Sequence, residues 1–178
     1  MTASTIELVA EPGDLRVARL AAAAIGLTLA EAVLPLPIPG VKPGLANIVT
    51  LVVLYRYGWH AAAWVAGLRI VAGALVLGQF LTPAFLLSLT GGVVSLAALA
   101  LAQRLPARWF GPVGLSLLAA FAHIGAQLAV VDLWLMPGAS LLGLLPVFFT
   151  AAWITGLVNG LAAAHLLKSR QLDPEVKA

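Results

Sequence analysis

The sequence contains no cysteine, and its 178 residues include only 10 Lys and Arg and 7 Asp and Glu side chains. Without cysteine there can be no disulfide, thiolate metal ligand or cysteine nucleophile. The sequence also lacks a Walker loop, a GxGxxG turn and a Ser–His–Asp arrangement, and the three histidines are not spaced as metal ligands. The net charge of +3 is too small to indicate nucleic-acid binding. We therefore expect no catalytic residue, no metal and no cofactor.

Apolar residues dominate what remains. They make up 62% of the chain, and the mean hydropathy is +1.04. So few charged side chains could not cover the apolar surface of a soluble domain of this size. The composition predicts an all-α integral membrane protein in a lipid bilayer.

Six membrane segments can be read along the chain. Four of them match the roughly 20 apolar residues that a spanning helix needs, the second is shorter, and the sixth is long enough to tilt, with Pro146 as a kink point. The predicted segments are about Arg16–Leu34, Leu45–Tyr57, Trp59–Gln79, Ala84–Gln103, Val113–Leu133 and Ser140–Leu167. This gives a cytoplasmic lead over residues 1–15, a six-helix membrane domain over 16–168 and a cytoplasmic tail over 169–178.

The stretch LPLPIPGVKPGLAN precedes the short second segment and holds four prolines, two glycines and one lysine. The 13 or so residues of that segment rise only about 20 Å as a helix, less than the hydrocarbon core. One interpretation is that the loop dips into the membrane and caps a cavity over Pro35–Gly44, covered by protein or water. The other is a short helical hairpin at the interface.

The cations set the predicted orientation. With both termini in the cytoplasm of a bacterial inner membrane, most of them lie on the inner side, as the positive-inside rule requires. These are Arg16, Arg19, Arg56, Arg104, Arg108, Lys168, Arg170 and Lys177. The exceptions are Lys42 and Arg69, which are therefore candidates for function.

Arg69 falls near the middle of the third segment. A charged arginine there costs roughly 2.5–3.5 kcal/mol on insertion scales, so it should face the protein interior and find a partner. Apart from Asp132, at the end of the fifth segment, Glu31 is the one carboxylate within the predicted segments. The two side chains either clamp two helices as an ion pair or line a ligand pocket, and both roles are compatible.

Other polar residues lie in or beside the apolar segments. Lys42 and Asn47 flank the start of the second segment, where helix N–H groups suit an anion, although Lys42 alone could instead reach lipid headgroups. His123 and Gln127 share a helix face because they are four residues apart. Asn159 lies within the sixth segment. Each of these last three residues either binds ligand or joins helices by hydrogen bonds.

Small residues repeat every four positions in the first segment, at Ala18, Ala22, Gly26 and Ala30. Such a stripe is typical of close helix packing in membranes. The stripe could meet a partner subunit or the sixth segment, and in an S-component-like module we expect it to face lipid or another subunit.

The loop and the segments after it resemble a known bacterial family. PGVKPGLAN, LRIVAGALVLGQF, FLLSLTGGVVSLAALAL and AHIGAQL are similar to the heptaprenyl diphosphate synthase component I family, also called the Gx transporter family. In the first motif Gly40, Lys42, Gly44 and Asn47 match, whereas Pro43 stands where an aliphatic residue is expected. The resemblance covers about Arg16–Leu167. It implies a compact bundle like the S components of energy-coupling-factor transporters, which work with ATPase partners, or a membrane part of flavin-based electron transfer.

The synthase name does not imply catalysis by this chain. Prenyl diphosphate synthases bind Mg²⁺ and diphosphate through clustered aspartates, but Asp14, Asp132 and Asp173 are far apart in the sequence. Two hypotheses remain. The first is a component that binds or transports a flavin-, quinone- or prenyl-phosphate-like molecule, energised by separate membrane or ATPase subunits. The second is a non-catalytic membrane subunit of a redox or isoprenoid-synthesis assembly.

Overall fold

The computed structural model describes residues 12–33, 44–104, 111–138 and 141–169, and within these ranges all regular structure is helical. The α-helices are α1 (Pro12–Val33), α2 (Leu45–Val76), α3 (Pro83–Ala102), α4 (Pro112–Val130) and α5 (Leu145–Ser169). A π-helical turn, Val131–Leu135, extends α4, and a 3-10 turn, Leu141–Gly143, precedes α5. The predicted loop residues 35–43, the start of the lead and the end of the tail lie outside the described residues.

Local sequence explains where several helices begin. The side chain of Thr82 accepts a hydrogen bond from the Phe85 N–H (3.4 Å), and Pro83 follows as the first helical residue of α3. Pro112 opens α4 in the same way after Gly111. The sixth predicted segment is interrupted at Leu144, just before Pro146, so the proline lies in the first turn of α5 instead of kinking it.

The surface of the bundle is apolar and its interior is lined by small side chains. Trp64, Leu133 and Leu142 are 67%, 77% and 75% exposed, while Ala24, Ala46 and Ala62 are fully buried. Soluble proteins rarely expose contiguous apolar surface of this kind. Four helical stretches within the described residues are long and apolar enough to cross a membrane: Leu45–Val76, Pro83–Ala102, Pro112–Leu135 and Leu141–Ser169. The structure thus supports an all-helical membrane protein.

α2 contains both the second and the third predicted segments, joined without a loop. Gly58 has φ 83° and ψ −179°, a conformation outside the helical region that is open mainly to glycine. The contacts to α1 show that the chain turns back there. Glu31 bonds to Leu45 at the start of α2, and Thr28, one turn away, contacts Gly73 near its end.

A straight helix would separate Leu45 from Gly73 by about 42 Å, whereas Thr28 and Glu31 differ by only about 4.5 Å along α1. The two halves of α2 therefore run back along each other from Gly58. The side chain of Trp59 fixes the second half to α3 by donating to the Leu96 carbonyl (3.3 Å).

α4 and α5 approach closely through glycines. A Cβ on Gly160 would come within 2.6 Å of the Val113 Cα, and one on Gly156 within 3.1 Å of the Ala120 Cβ. Gly156 and Gly160 form a GxxxG sequence, the small-residue pattern that lets membrane helices pack backbone to backbone. The close contact places α5, and with it Asn159, against the rest of the bundle.

Candidate functional site: an internal polar cavity

All five helices contribute to one partly open cavity of about 300 Å³. Its apolar walls include Leu51, Ile70, Leu96 and Ile124, and its polar lining combines one arginine, one carboxylate, amides, one imidazole and several hydroxyls. A cavity of this size lies at the lower end of the range found for small-molecule sites.

Six of the seven residues that the sequence singled out line this cavity. They are Glu31, Asn47, Arg69, His123, Gln127 and Asn159. They come from α1, both halves of α2, α4 and α5, so only the folded bundle brings them together. The seventh, Lys42, lies outside the described residues.

Two of these residues hold the start of α2. The Glu31 carboxylate accepts a hydrogen bond from the Leu45 N–H, where a negative charge also complements the helix dipole. The Asn159 Nδ2 donates to the Gly44 carbonyl (3.1 Å). Gly44 has φ 71°, and a Cβ there would lie 3.1 Å from the Asn47 amide nitrogen and 3.3 Å from that of Asn159. Only glycine fits this junction without strain.

Arg69 is the unusual group of the cavity. Its Nε is buried and has no hydrogen-bond partner within the described part of the chain. Glu31 is near enough to interact with it electrostatically, while the Glu31 carboxylate also accepts from the Leu45 N–H. A direct Arg69–Glu31 clamp therefore stays a prediction. Arg69 also lines the cavity.

His123 and Gln127 join α4 to α3. The Gln127 Nε2 donates to the Leu87 carbonyl (3.2 Å) and lies 3.1 Å from the His123 Nε2. Because an amide nitrogen only donates, the His123 Nε2 must accept, which puts the proton of the neutral ring on Nδ1. The His123 ring packs against Gly91, and a Cβ added to Gly91 would come within 2.7–2.9 Å of the ring atoms.

The sequence reasoning missed the hydroxyl groups of the cavity. Thr28, Thr50 and Thr155 all line it, as do Ser88, Ser95 and Ser116. A signal for the threonines was present, because each lies three or four residues from a polar residue that was predicted: Glu31, Asn47 and Asn159 respectively. Residues at that spacing share a helix face.

The fold and the cavity together define a polytopic helical membrane protein with a polar interior site. The chain belongs to the heptaprenyl diphosphate synthase component I family, whose model matches residues 20–166 and so includes every predicted site residue. No curated protein matches the chain. No solved structure matches it either.

Proposed function

We propose that the protein is the membrane-embedded binding component of a transport system for a small molecule with an anionic or carbonyl-rich head. The observation that carries this proposal is the convergence of Glu31, Asn47, Arg69 and three further polar side chains on one cavity. Polar residues used only as helix glue would have no reason to meet around open space. A few placed polar groups in an otherwise apolar cavity are the usual composition of a ligand site.

Arg69 would hold the head of the ligand. Burying an arginine without a full set of hydrogen bonds is costly, and an ionisable residue within a membrane protein is by default a candidate for function. Its planar guanidinium binds carboxylate or phosphate through two parallel hydrogen bonds. Lys42, in the loop before α2, would add positive charge from the outer side.

The proposed arrangement in the membrane has six passes, because α1 and the two halves of α2 each count as one. Both termini would then be cytoplasmic, in a bacterial inner membrane. Energy would come from separate subunits, such as an ATPase, as the S-component resemblance implies.

The experiment is mass spectrometry of small molecules that co-purify with the protein in mild detergent. Ser88 lines the cavity from α3, and Val93 is exposed on the same helix outside it. Ser88→Phe should fill the cavity and abolish retention, while Val93→Phe should keep it. If wild-type protein, offered an extract of host metabolites, enriches nothing over Ser88→Phe, the proposal is wrong.

The alternative is a non-catalytic membrane subunit of an isoprenoid- or quinone-synthesis assembly or of a redox assembly for extracellular electron transfer. The family description favours it, because a component I implies a second component. The exposed small-residue stripe of α1 offers a packing face for a partner. Loss of synthase or reductase assembly on deletion of the gene, with no small molecule enriched by the purified protein, would favour this alternative.

A further inference from the structure

We infer that the ligand is a compact organic anion with one carboxylate-like group for Arg69 and with N–H or O–H donors for Thr28 and Thr155. This inference rests on the proposed binding function and narrows it to one chemical class.

Arg69 supplies the positive charge among the described residues that line the cavity. Its buried Nε has no hydrogen-bond partner in the described part of the chain, so the guanidinium has hydrogen-bonding capacity left for an anionic group. We match this capacity with one carboxylate-like group on the ligand.

The threonine hydroxyls of the cavity are acceptors. Thr28 donates to the Ala24 carbonyl at 3.0 Å, and Thr155 donates to the Ala151 carbonyl at 2.9 Å. Thr50 makes a longer bond of the same kind to Ala46 (3.4 Å). A hydroxyl has one proton, so once it is donated to the helix only lone pairs are left for a ligand. A ligand that brings donors of its own can therefore bond to these hydroxyls.

The volume matches a compact ligand head. At about 300 Å³ the cavity lies at the lower end of the range found for small-molecule sites.

The test compares molecules released from wild-type protein and from matched variants. Extracts are read in negative-ion mode after transfer to D₂O, which counts exchangeable N–H and O–H hydrogens. We expect a small anion with at least one such hydrogen. Retention should fall at least about tenfold in Arg69→Gln and several-fold in Thr155→Val, because each loses a hydrogen bond to the ligand.

The controls use the same substitutions outside the cavity. Arg104 is exposed. Thr90 lies on α3 and is not part of the cavity lining. Like Thr155, it donates its hydroxyl hydrogen to a backbone carbonyl of its own helix, that of Leu86 (2.6 Å). Arg104→Gln and Thr90→Val should retain the molecule at wild-type levels. If Arg69→Gln does not fold, the difference in ligand retention between Thr155→Val and Thr90→Val still tests the inference.

A defined probe series covers the case in which the ligand is lost during purification. 4-Hydroxybenzoate has a carboxylate and one O–H donor on a body that fits the volume. Its methyl ester lacks the charge, and 4-methoxybenzoate lacks the donor. Only 4-hydroxybenzoate should raise the melting temperature of the empty wild-type protein.

Three outcomes overturn the inference while leaving the binding function in place. They are release of a neutral molecule or of an anion without N–H or O–H donors, retention at wild-type levels by Arg69→Gln and Thr155→Val, and equal stabilisation by all three probes. Absence of any enriched molecule together with no response to the probes overturns both the inference and the proposed function.

Discussion

The Glu31 carboxylate on α1 accepts a hydrogen bond from the backbone N–H of Leu45, the first residue of α2. The bond joins two helices across the proline-rich stretch that connects them, and it lies on the wall of the cavity. It also engages the carboxylate that the sequence suggested as the partner of Arg69.

Removal of this carboxylate should destabilise the bundle. Glu31→Ala leaves the Leu45 N–H unsatisfied and should lower the free energy of unfolding by about 1–3 kcal/mol. Glu31→Gln keeps an acceptor oxygen and should cost less than half as much. Unfolding in mixed micelles, followed by circular dichroism, measures both. Equal losses would show that the charge, through Arg69 or the helix dipole, matters more than the hydrogen bond.

The turn at Gly58 should depend on glycine. With φ 83° and ψ −179°, an added Cβ is strained, so Gly58→Ala should cost about 1–3 kcal/mol of unfolding free energy. Gly67 lies on the same helix, and a Cβ there would meet nothing within 4 Å. Gly67→Ala should be neutral or stabilise by up to about 1 kcal/mol. A neutral Gly58→Ala would contradict the sharp turn.

The packing of the His123 ring should require a residue without a side chain at position 91. Gly91→Ala must displace the imidazole, with an expected cost of about 1–3 kcal/mol in unfolding free energy. Adding His123→Ala should restore part of that loss, because the clash disappears, and the double-mutant cycle measures the coupling. Gly125→Ala, where a Cβ meets nothing within 4 Å, is the control. Additive effects would mean that the two residues are not in contact.

The small-residue stripe on α1 should contact a partner subunit and contribute little to the stability of the isolated protein. Ala18, Ala22, Gly26 and Ala30 are all exposed, as predicted, whereas the neighbouring Ala21 is only 3% exposed. Ala22→Leu should leave the melting temperature of the isolated protein unchanged and weaken its complex, measured as the partner recovered with tagged protein. Ala21→Leu should lower the melting temperature by overpacking. Equal destabilisation by both would show that the stripe packs inside the bundle.

The absence of cysteine gives a direct test of six passes. Leu81, between α2 and α3, is 80% exposed, and Tyr57, beside the turn, is 46% exposed. A membrane-impermeant maleimide should label Leu81→Cys on intact cells, but Tyr57→Cys only after permeabilisation. If α2 crossed the membrane once as a single helix, Tyr57→Cys would be shielded by lipid in both cases. Labelling of Tyr57→Cys from outside would reverse the proposed orientation.

The sequence by itself determined the class of protein and the polar residues worth attention. An almost uncharged, apolar chain has to form helices in a bilayer, since no water is present there to satisfy backbone groups. Within one helix, spacing fixes the face, and so the contact between His123 and Gln127 and the common face of the stripe through Ala22 followed from intervals of four. The cost of exposing Arg69 to lipid likewise predicted a side chain that faces the protein interior, and Arg69 lines the cavity.

The tertiary structure alone decided which of these residues meet. The fold-back of α2 at Gly58 depends on contacts with α1, and Asn159 reaches the Gly44 carbonyl from a helix at the other end of the chain. Local periodicity carries no information about such pairs, because it specifies a face but not the neighbour against which that face packs. Glu31 illustrates the difference: the sequence predicted Arg69 as its electrostatic partner, and the packing of α1 on α2 adds a hydrogen bond from a backbone N–H that no charge pattern could indicate.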